Sequence, residues 1–387
     1  MSEGVTLSVV MPCLNEEANV ATCVKKALAA FAQAGIAGEV VVVDNGSKDR
    51  SAELAAAAGA RVVRHDVKGY GAALRRGFAE ARGEFILMGD ADNTYDYTEI
   101  PLFMAGLRAG DDLVMGTRLG GTIHPGAMPW LHRYVGTPVL TTVLNLFFRA
   151  RITDTNCGMR GFRKAAIDGL GLKCNGMEFA SEMVVKAARA RLKIGEVPIN
   201  YYASTAGRVV HLRSFHDGWR HLRFMLVLAP KWLFLYPGTL LFLAGLLLTA
   251  LLQFKEAHIF GVPLGLSTAV FAGAMLILGM QIAQFGIYAM ILDSTRGIVP
   301  DDRVTRLVMR HFTLEKGLIT ATLILLAGLV LGGVTAVLLW QVAAAGGGIS
   351  VTATKLATLS ISIVILGIQI MFASFYVSLL ELEKTLG

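Results

Sequence analysis

Four stretches without an Asp, Glu, Lys or Arg fill most of the chain beyond residue 231: Trp232–Phe254, Ala257–Leu292, Gly317–Thr354 and Leu356–Leu380. Each exceeds the ~20 residues a helix needs to cross a hydrocarbon layer. Backbone in lipid must satisfy its own hydrogen bonds, so runs of this kind are read as helices. The expectation is four transmembrane helices over about 232–254, 264–292, 318–342 and 356–380. They account for a mean hydropathy of +0.56, whereas the chain up to Lys231 has the composition of a soluble α/β domain. The implied domains are 1–205, soluble; 206–231, a membrane-interface segment; and 232–387, the membrane bundle.

Charge sets the expected orientation. The connection Asp293–Lys316 carries Arg296, Arg303, Arg306, Arg310 and Lys316, while the other two loops carry Lys255 and Lys355 near their edges. Basic loops stay on the cytoplasmic side. The start Met1-Ser2-Glu3-Gly4 has neither the basic end nor the apolar core of a signal peptide. Both termini and the N-terminal domain are therefore expected in the cytoplasm, in a multi-pass protein of the cell (inner) membrane. The net charge of +7 suits a neighbour of anionic lipid. No basic-aromatic module points to nucleic acid. Cys13, Cys23, Cys157 and Cys174 have no metal or disulfide spacing and read as packing residues of a reducing compartment.

In the N-terminal part, short apolar runs alternate with helical stretches. Leu7–Met11, ended by Pro12, Val40–Val43, Arg61–Arg64 and Phe85–Met88 read as strands. Asn15 is placed to cap the first helix, with Glu16 and Glu17 in its first turn, and Asp49 or Ser51 to cap the second. Gly69-Tyr70-Gly71 opens a third helix running to Glu80. This alternation predicts an α/β fold with a mostly parallel, Rossmann-like sheet and helices on both faces. Pro12, Asp44 and Asp90 then leave the sheet along one edge, where such sheets bind ligands. Asp44 suits a base or ribose. Asp90 and Asp92 offer two hard oxygen donors to Mg²⁺ or Mn²⁺, and such a cation can bridge nucleotide phosphates.

Those residues also carry a resemblance. Val10-Met11-Pro12-Cys13-Leu14-Asn15-Glu16, Val43-Asp44-Asn45-Gly46-Ser47, Gly69-Tyr70-Gly71-Ala72-Ala73 and Gly89-Asp90-Ala91-Asp92 recur in this order in family 2 glycosyltransferases. Over roughly residues 5–215 the chain resembles the dolichyl- and polyprenyl-phosphate glycosyltransferases, of the dolichyl-phosphate mannose synthase type. The resemblance implies a glycosyltransferase A type sheet binding a nucleotide sugar. It assigns Pro12, Asn15, Glu16, Asp44 and Gly69 to the nucleotide, and Asp90 and Asp92 to the metal and sugar diphosphate. Relatives often have Gln where this chain has Thr94, a departure for which Asp96 is the nearest substitute. Met115-Gly116-Thr117-Arg118 and Asp154–Arg163 resemble two further family segments, which makes Arg118 and Arg133 candidates for gripping phosphate. Glu182 matches an acidic residue after the acceptor-side loop.

Leu212, Phe215, Trp219 and Leu222 recur at helical spacing with Arg213, Arg220 and Arg223 largely off that stripe, the pattern of a helix lying in the membrane interface. The alternative is a helix packed on the catalytic domain. Arg208, His211 and Arg213 would meet an arriving lipid phosphate. The resemblance thus implies an inverting, metal-dependent transfer of a hexose from a nucleotide sugar (UDP-glucose or GDP-mannose type) to polyprenyl or dolichyl phosphate. The rivals are a glycolipid synthase acting on a hydroxyl and a lipid-sugar transporter with a vestigial domain. The helix interiors lack Asp, Glu, Lys and Arg, which disfavours transport. A homo-oligomer is left open.

The orientation makes a direct prediction. A cysteine introduced at Arg303 should resist an impermeant thiol reagent in intact cells, and one at Gly347 should react. The opposite labelling would reverse the topology.

Overall fold

The computed structural model describes residues 4–204, 214–254, 258–259, 262–263, 265–295, 304, 306–307, 310, 313–347 and 350–386. Its contacts divide the chain into two compact units, Met1–Leu228 and Ala229–Gly387.

Unit 1 is built on a seven-stranded sheet. Its elements are β1 (Leu7–Cys13), α1 (Val20–Ala34), β2 (Gly38–Asp44), α2 (Ser51–Ala57), β3 (Arg61–Arg64), α3 (Tyr70–Glu80) and β4 (Phe85–Met88). They continue with α4 (Ile100–Arg108), β5 (Leu113–Thr117), α5 (Thr137–Phe148), β6 (Arg160–Arg163), α6 (Lys164–Asp168), α7 (Phe179–Arg189), β7 (Ile194–Pro198) and α8 (Ser214–Val227). The strand order is β3-β2-β1-β4-β6-β5-β7. β1, β2, β3 and β4 are mutually parallel, as the alternation of strands and helices predicts, and β7 runs parallel to β5. β6 is antiparallel to both neighbours. It enters from a long excursion after Arg118 that carries α5 and brings the chain back antiparallel to β5.

Two local expectations are corrected. β1 does not stop at Pro12 but runs to Cys13, in register with Asp44. β4 pairs with β1 only as far as Val10, so Pro12 lies past the neighbour on that side and its missing N–H leaves no rung unmade. Asn15 does not cap α1. It sits in the left-handed region (φ 57°), its side chain accepts from Lys48 N, and the helix starts at Val20.

α8 is packed on unit 1 by one face and bare on another. His221, Met225 and Leu228 are buried, with His221 Nδ1 2.8 Å from the Ser181 hydroxyl, and Arg220 pairs with Glu178 at 2.8 Å. Trp219, on the apolar stripe read from the sequence, is 58% exposed. Leu212 and Arg213 lie outside the described residues.

Among its described residues, unit 2 contains four helices long and apolar enough to cross a membrane, with spans Lys231–Leu252, Leu266–Ser294, Leu314–Ala344 and Val351–Leu380. They belong to α9 (Tyr236–Phe254, entered through a π turn at Lys231–Leu235), α10 (Leu266–Thr295), α11 (Leu314–Ala344) and α12 (Val351–Leu386). A two-stranded ribbon, β8 (His258–Ile259) and β9 (Val262–Pro263), joins the first two. α12 begins before Lys355, so this lysine stands within a helix and not at a loop edge.

Small residues bring the helices together. A Cβ on Gly279 would lie 2.3 Å from Phe242 N, and one on Gly328 would lie 2.8 Å from a Val364 methyl. Such close backbone approach is how helices gain van der Waals energy where lipid supplies no hydrophobic drive. Leu240, Phe271, Val330 and Phe372 are exposed, as lipid-facing side chains are. Gly279→Leu should therefore force α9 and α10 apart and cost about 1–3 kcal/mol or more, as over-packing does. Thermal unfolding in detergent should show a clear drop, and an unchanged midpoint would contradict the packing.

Candidate active site

The ends of β1, β2 and β4 meet at one sheet edge, and the exit loops of β1, β2 and β3 are fastened each to the next. Asn15 N donates to Ser47 Oγ at 3.0 Å, Glu16 N to Ser51 Oγ at 2.8 Å and Glu17 N to Asp49 Oδ2 at 3.2 Å. Asp44 is buried and accepts from Ser47 N, which fixes its carboxylate at the mouth of β2. Asn45 serves as a three-way clamp: its amide nitrogen donates to the carbonyls of His65 and Val67, and its oxygen accepts from Gly69 N. Gly69 holds φ 134°, and a Cβ there would lie 2.2 Å from the Asn175 carbonyl. Only glycine permits both, and α3 starts immediately after. Pro12, Asn15, Glu16, Asp44 and Gly69 are thus gathered on three adjoining loops.

Asp90 and Asp92 leave the end of β4 beside them. Asp92 is buried, and its Oδ1 accepts from both the backbone N (3.0 Å) and the hydroxyl (2.6 Å) of Thr94. Thr94 therefore orients the second carboxylate from two residues away. Asp96 plays no part in this, because its side chain caps the short 3₁₀ turn at Tyr97–Glu99 through Thr98 N. The Tyr70 phenol hydrogen-bonds Asp90, and burial first, then the Asp90 charge, push it well above the usual tyrosine range. Tyr97 Oη donates to the Asp90 carbonyl at 2.9 Å. Gly158 comes so close that a Cβ would meet Asp90 Oδ2 at 2.9 Å, and its N–H donates to Tyr95 Oη. The donor set fits Mg²⁺ or Mn²⁺, because two oriented hard carboxylates leave the remaining positions to water and phosphate oxygens. Among the described residues no cluster of three or more His, Cys, Asp or Glu side chains forms a metal cage.

The arginines separate by role. Arg118, at the end of β5, forms a buried bidentate pair with Asp154, Nε to Oδ2 at 2.7 Å and Nη2 to Oδ1 at 2.8 Å. Burial would lower its pKa, but Asp154 holds it well above the usual value. Its guanidinium also lies over the Tyr201 ring, 5.1 Å from the centroid. The neighbouring His132 is held below the usual imidazole range, by burial and then by the Arg118 charge. Arg133, one residue on, is exposed and lies over Tyr134. Arg208 and Arg213 fall outside the described residues.

Glu182 is buried and fully occupied. It accepts from Lys173 N and Cys174 N and pairs with Lys186 at 2.9 Å. Its task is to hold the loop whose Asn175 carbonyl abuts Gly69, so it acts on the Gly-Tyr-Gly turn from behind. Arg160, wholly buried, donates to the carbonyls of Cys157, Ala180 and Thr155. All four cysteines are unpaired, and burial pushes each thiol up to about 12, so they are inert packing groups at neutral pH. Tyr95 and Arg160 were given no role from the sequence, Tyr70 was read only as part of the Gly-Tyr-Gly turn, and Asp154 only as a base that a hydroxyl acceptor would need. Tyr70, Asp154 and Arg160 lay inside recognised segments, but Tyr95 carries no signal that separates it from core aromatics.

Burial raises the Glu182 pKa, but Lys186 and the two N–H groups outweigh it and set the carboxyl below its ordinary 4.5. A depressed carboxyl contributes stability that is full above the unfolded value and is lost as pH falls through the folded one. Acidification from pH 7 to below 4.5 should cost the wild type stability that Glu182→Gln has already lost, by about 1–3 kcal/mol. Parallel acid-induced losses in the two proteins would contradict the bracing role.

Comparison of the sequence with known proteins shows the family. The family model for glycosyl transferase family 2 matches residues 8–171, and that for the family 2 C-terminal transmembrane region matches 287–381. The low-salt glycan biosynthesis hexosyltransferase Agl6 of Haloferax volcanii is 41% identical over 372 residues, 96% of this chain and 88% of its own. A dolichyl-phosphate hexose transferase of the same organism is 32% identical over 163 residues, 42% of this chain and 69% of its own. Among solved structures, glucosyl-3-phosphoglycerate synthase from Mycobacterium tuberculosis aligns over 58% of this chain and 80% of its own, with TM-score 0.48 and 22% identity. A mostly parallel sheet with acidic residues at its carboxyl edge, followed by membrane helices, is thus accounted for: the chain belongs to the family 2 glycosyltransferases and is a membrane enzyme of that family.

Proposed function

We propose that the enzyme transfers a hexose from a nucleotide sugar to the phosphate of a polyprenyl or dolichyl lipid, with inversion at the anomeric carbon. The observation that carries the reading is the meeting of Asp44, Asp90 and Asp92 at one sheet edge, in a chain with four apolar helices of spanning length. The similarity to Agl6 and to the dolichyl-phosphate hexose transferase supports the hexose and the lipid phosphate.

Pro12, Asn15, Glu16 and Gly69 line the nucleotide, and Asp44 accepts from its base or ribose. Asp90 and Asp92 would hold Mg²⁺ or Mn²⁺, which would supply charge neutralisation to the departing diphosphate. Tyr70 and Thr94 keep the two carboxylates aimed. Arg118 positions the Asp154 loop against Asp90, while the exposed Arg133 and the segment carrying Arg208 and Arg213 meet the acceptor phosphate. Such a phosphate has a second pKa of about 6 and is already anionic at pH 7. It needs alignment more than deprotonation, so no general base is called for. Exposed Trp130, Tyr134 and Trp219 on unit 1 are amphipathic surface of the kind a lipid boundary covers. The catalytic unit is placed on the cytoplasmic face of the cell membrane.

The test is to incubate membranes with a panel of radiolabelled nucleotide sugars and Mg²⁺, then extract lipid. One sugar should enter the lipid fraction, excess EDTA should abolish transfer, and Asp90→Asn or Asp92→Asn should each lose about 100-fold or more, the scale of a lost charge-stabilising group. Full transfer in EDTA would remove the metal from the proposal. Failure of every sugar to label lipid would remove the acceptor.

A further inference from the structure

The chain that follows β7 forms a strap across the exit loops of β4 and β5, and the catalytic reading leaves it without a task. Ile199 N donates to the Thr117 carbonyl at 3.1 Å, Tyr201 N to that of Thr122 at 2.8 Å and Tyr202 N to that of Thr94 at 2.9 Å. Between them Asn200 is held by Glu99, which accepts from its backbone N at 3.0 Å and its side-chain nitrogen at 2.7 Å. Extended backbone sends successive side chains to opposite faces. Tyr202 stacks on His124, with ring centroids 4.3 Å apart and 13° between the planes. Tyr201 faces the other way, its ring 5.4 Å from that of Tyr95 and beneath the Arg118 guanidinium at 5.1 Å.

We infer that Tyr201 is a catalytic residue whose O–H donates to a phosphate oxygen of the nucleotide sugar's diphosphate. The inference rests on the sugar-transfer reading and adds to it a group that meets the leaving diphosphate. Both neighbours of Tyr201 in space are tied to the acidic motif. Thr94, whose carbonyl holds the strap, orients Asp92 through its hydroxyl and amide. Tyr95 accepts from Gly158 N, and Gly158 abuts Asp90. The Tyr201 side chain is partly exposed, so it reaches the surface of the site. Its phenol stands in the field of Arg118, Asp92 and Asp90, and Arg118 hydrogen-bonds it. A guanidinium only donates, so the phenol oxygen accepts from Arg118 and its own proton points elsewhere. Burial outweighs the Arg118 charge and keeps the phenol above the usual tyrosine range, so the proton is present at neutral pH. A divalent cation on Asp90 and Asp92 gathers phosphate oxygens beside it. A bond from O–H to such an anionic oxygen is charge-assisted and among the stronger ones. Packing against Arg118 and Tyr95 explains the ring of Tyr201, which phenylalanine would supply as well. The hydroxyl at the meeting of one cation and two acids is what the diphosphate explains.

The test reads binding and needs no turnover. Full-length protein in detergent with Mg²⁺ is titrated calorimetrically with UDP and GDP, and with UMP and GMP, which lack the second phosphate. The wild type should bind one of the two diphosphates. Tyr201→Phe keeps the ring and should weaken that diphosphate about tenfold or more, the factor that loss of a hydrogen bond to a charged group implies. The matching monophosphate should bind Tyr201→Phe as it binds the wild type, which also shows that the variant is folded. Tyr202→Phe, on the other face of the strap, should bind the diphosphate as the wild type does. Equal weakening of diphosphate and monophosphate by Tyr201→Phe would give the hydroxyl a structural role and overturn the inference. Equal diphosphate binding by wild type and Tyr201→Phe would overturn it too, and would leave the sugar-transfer reading standing. A wild type that binds neither UDP nor GDP would overturn both.

Discussion

The buried pair between Arg118 and Asp154 fixes the geometry around the acidic motif. Arg118 directly follows β5 and Asp154 lies in the loop between α5 and β6, so their two hydrogen bonds join segments 36 residues apart. Asp154 also accepts from the backbone N of Arg118 and of Asn156, which leaves its carboxylate well satisfied inside the protein. Removing one partner of such a pair strands a buried charge and typically costs 3–5 kcal/mol. The loop held in this way presses Gly158 against Asp90. Arg160 ties the same loop to α7, and Glu182 of α7 ties the next one to Gly69. The acidic pair and the glycine turn are therefore supported from one continuous set of polar contacts beneath them.

Much of this was visible in the residues themselves. β3, α3 and β4 lie where the apolar runs and the Gly-Tyr-Gly turn placed them, because each is short, regular and bounded by glycine or charge. The membrane spans follow from the absence of charge over lengths that nothing soluble would tolerate. The antiparallel β6 was not visible. Its four residues, Arg-Gly-Phe-Arg, have no strand periodicity, and their direction is set by the excursion that Arg118 and Asp154 close. Asn15 looked like a helix cap because capping depends on residue type, but its side chain is taken by Lys48 from a loop distant in sequence.

The site was readable as a set of strand-end acids and less so as a hydrogen-bond network. Asp44, Asp90 and Asp92 announce themselves by position. The assignment of Arg118 to phosphate could not anticipate that Asp154 would engage its guanidinium, since a motif shows that an arginine is present and not what it faces. Likewise Glu182 shares a face with Glu178, yet one is buried under a backbone loop and the other pairs with Arg220 at the surface. Thr94 is the instructive case. It departs from the pattern of the relatives it resembles and still serves Asp92 through both its hydroxyl and its amide.

An enzyme that aligns an anionic acceptor has no need of a base. One that uses a hydroxyl does, and the difference separates the two chemistries open to this scaffold. The measurement that decides between them offers the purified enzyme, in one detergent and with its nucleotide sugar, polyprenyl phosphate in one reaction and diacylglycerol in another. Sugar should pass to polyprenyl phosphate at a rate rising with pH through about 6, as the phosphate loses its second proton, and diacylglycerol should remain unglycosylated. Transfer to diacylglycerol at an equal rate would contradict the phosphate acceptor and make the protein a glycolipid synthase.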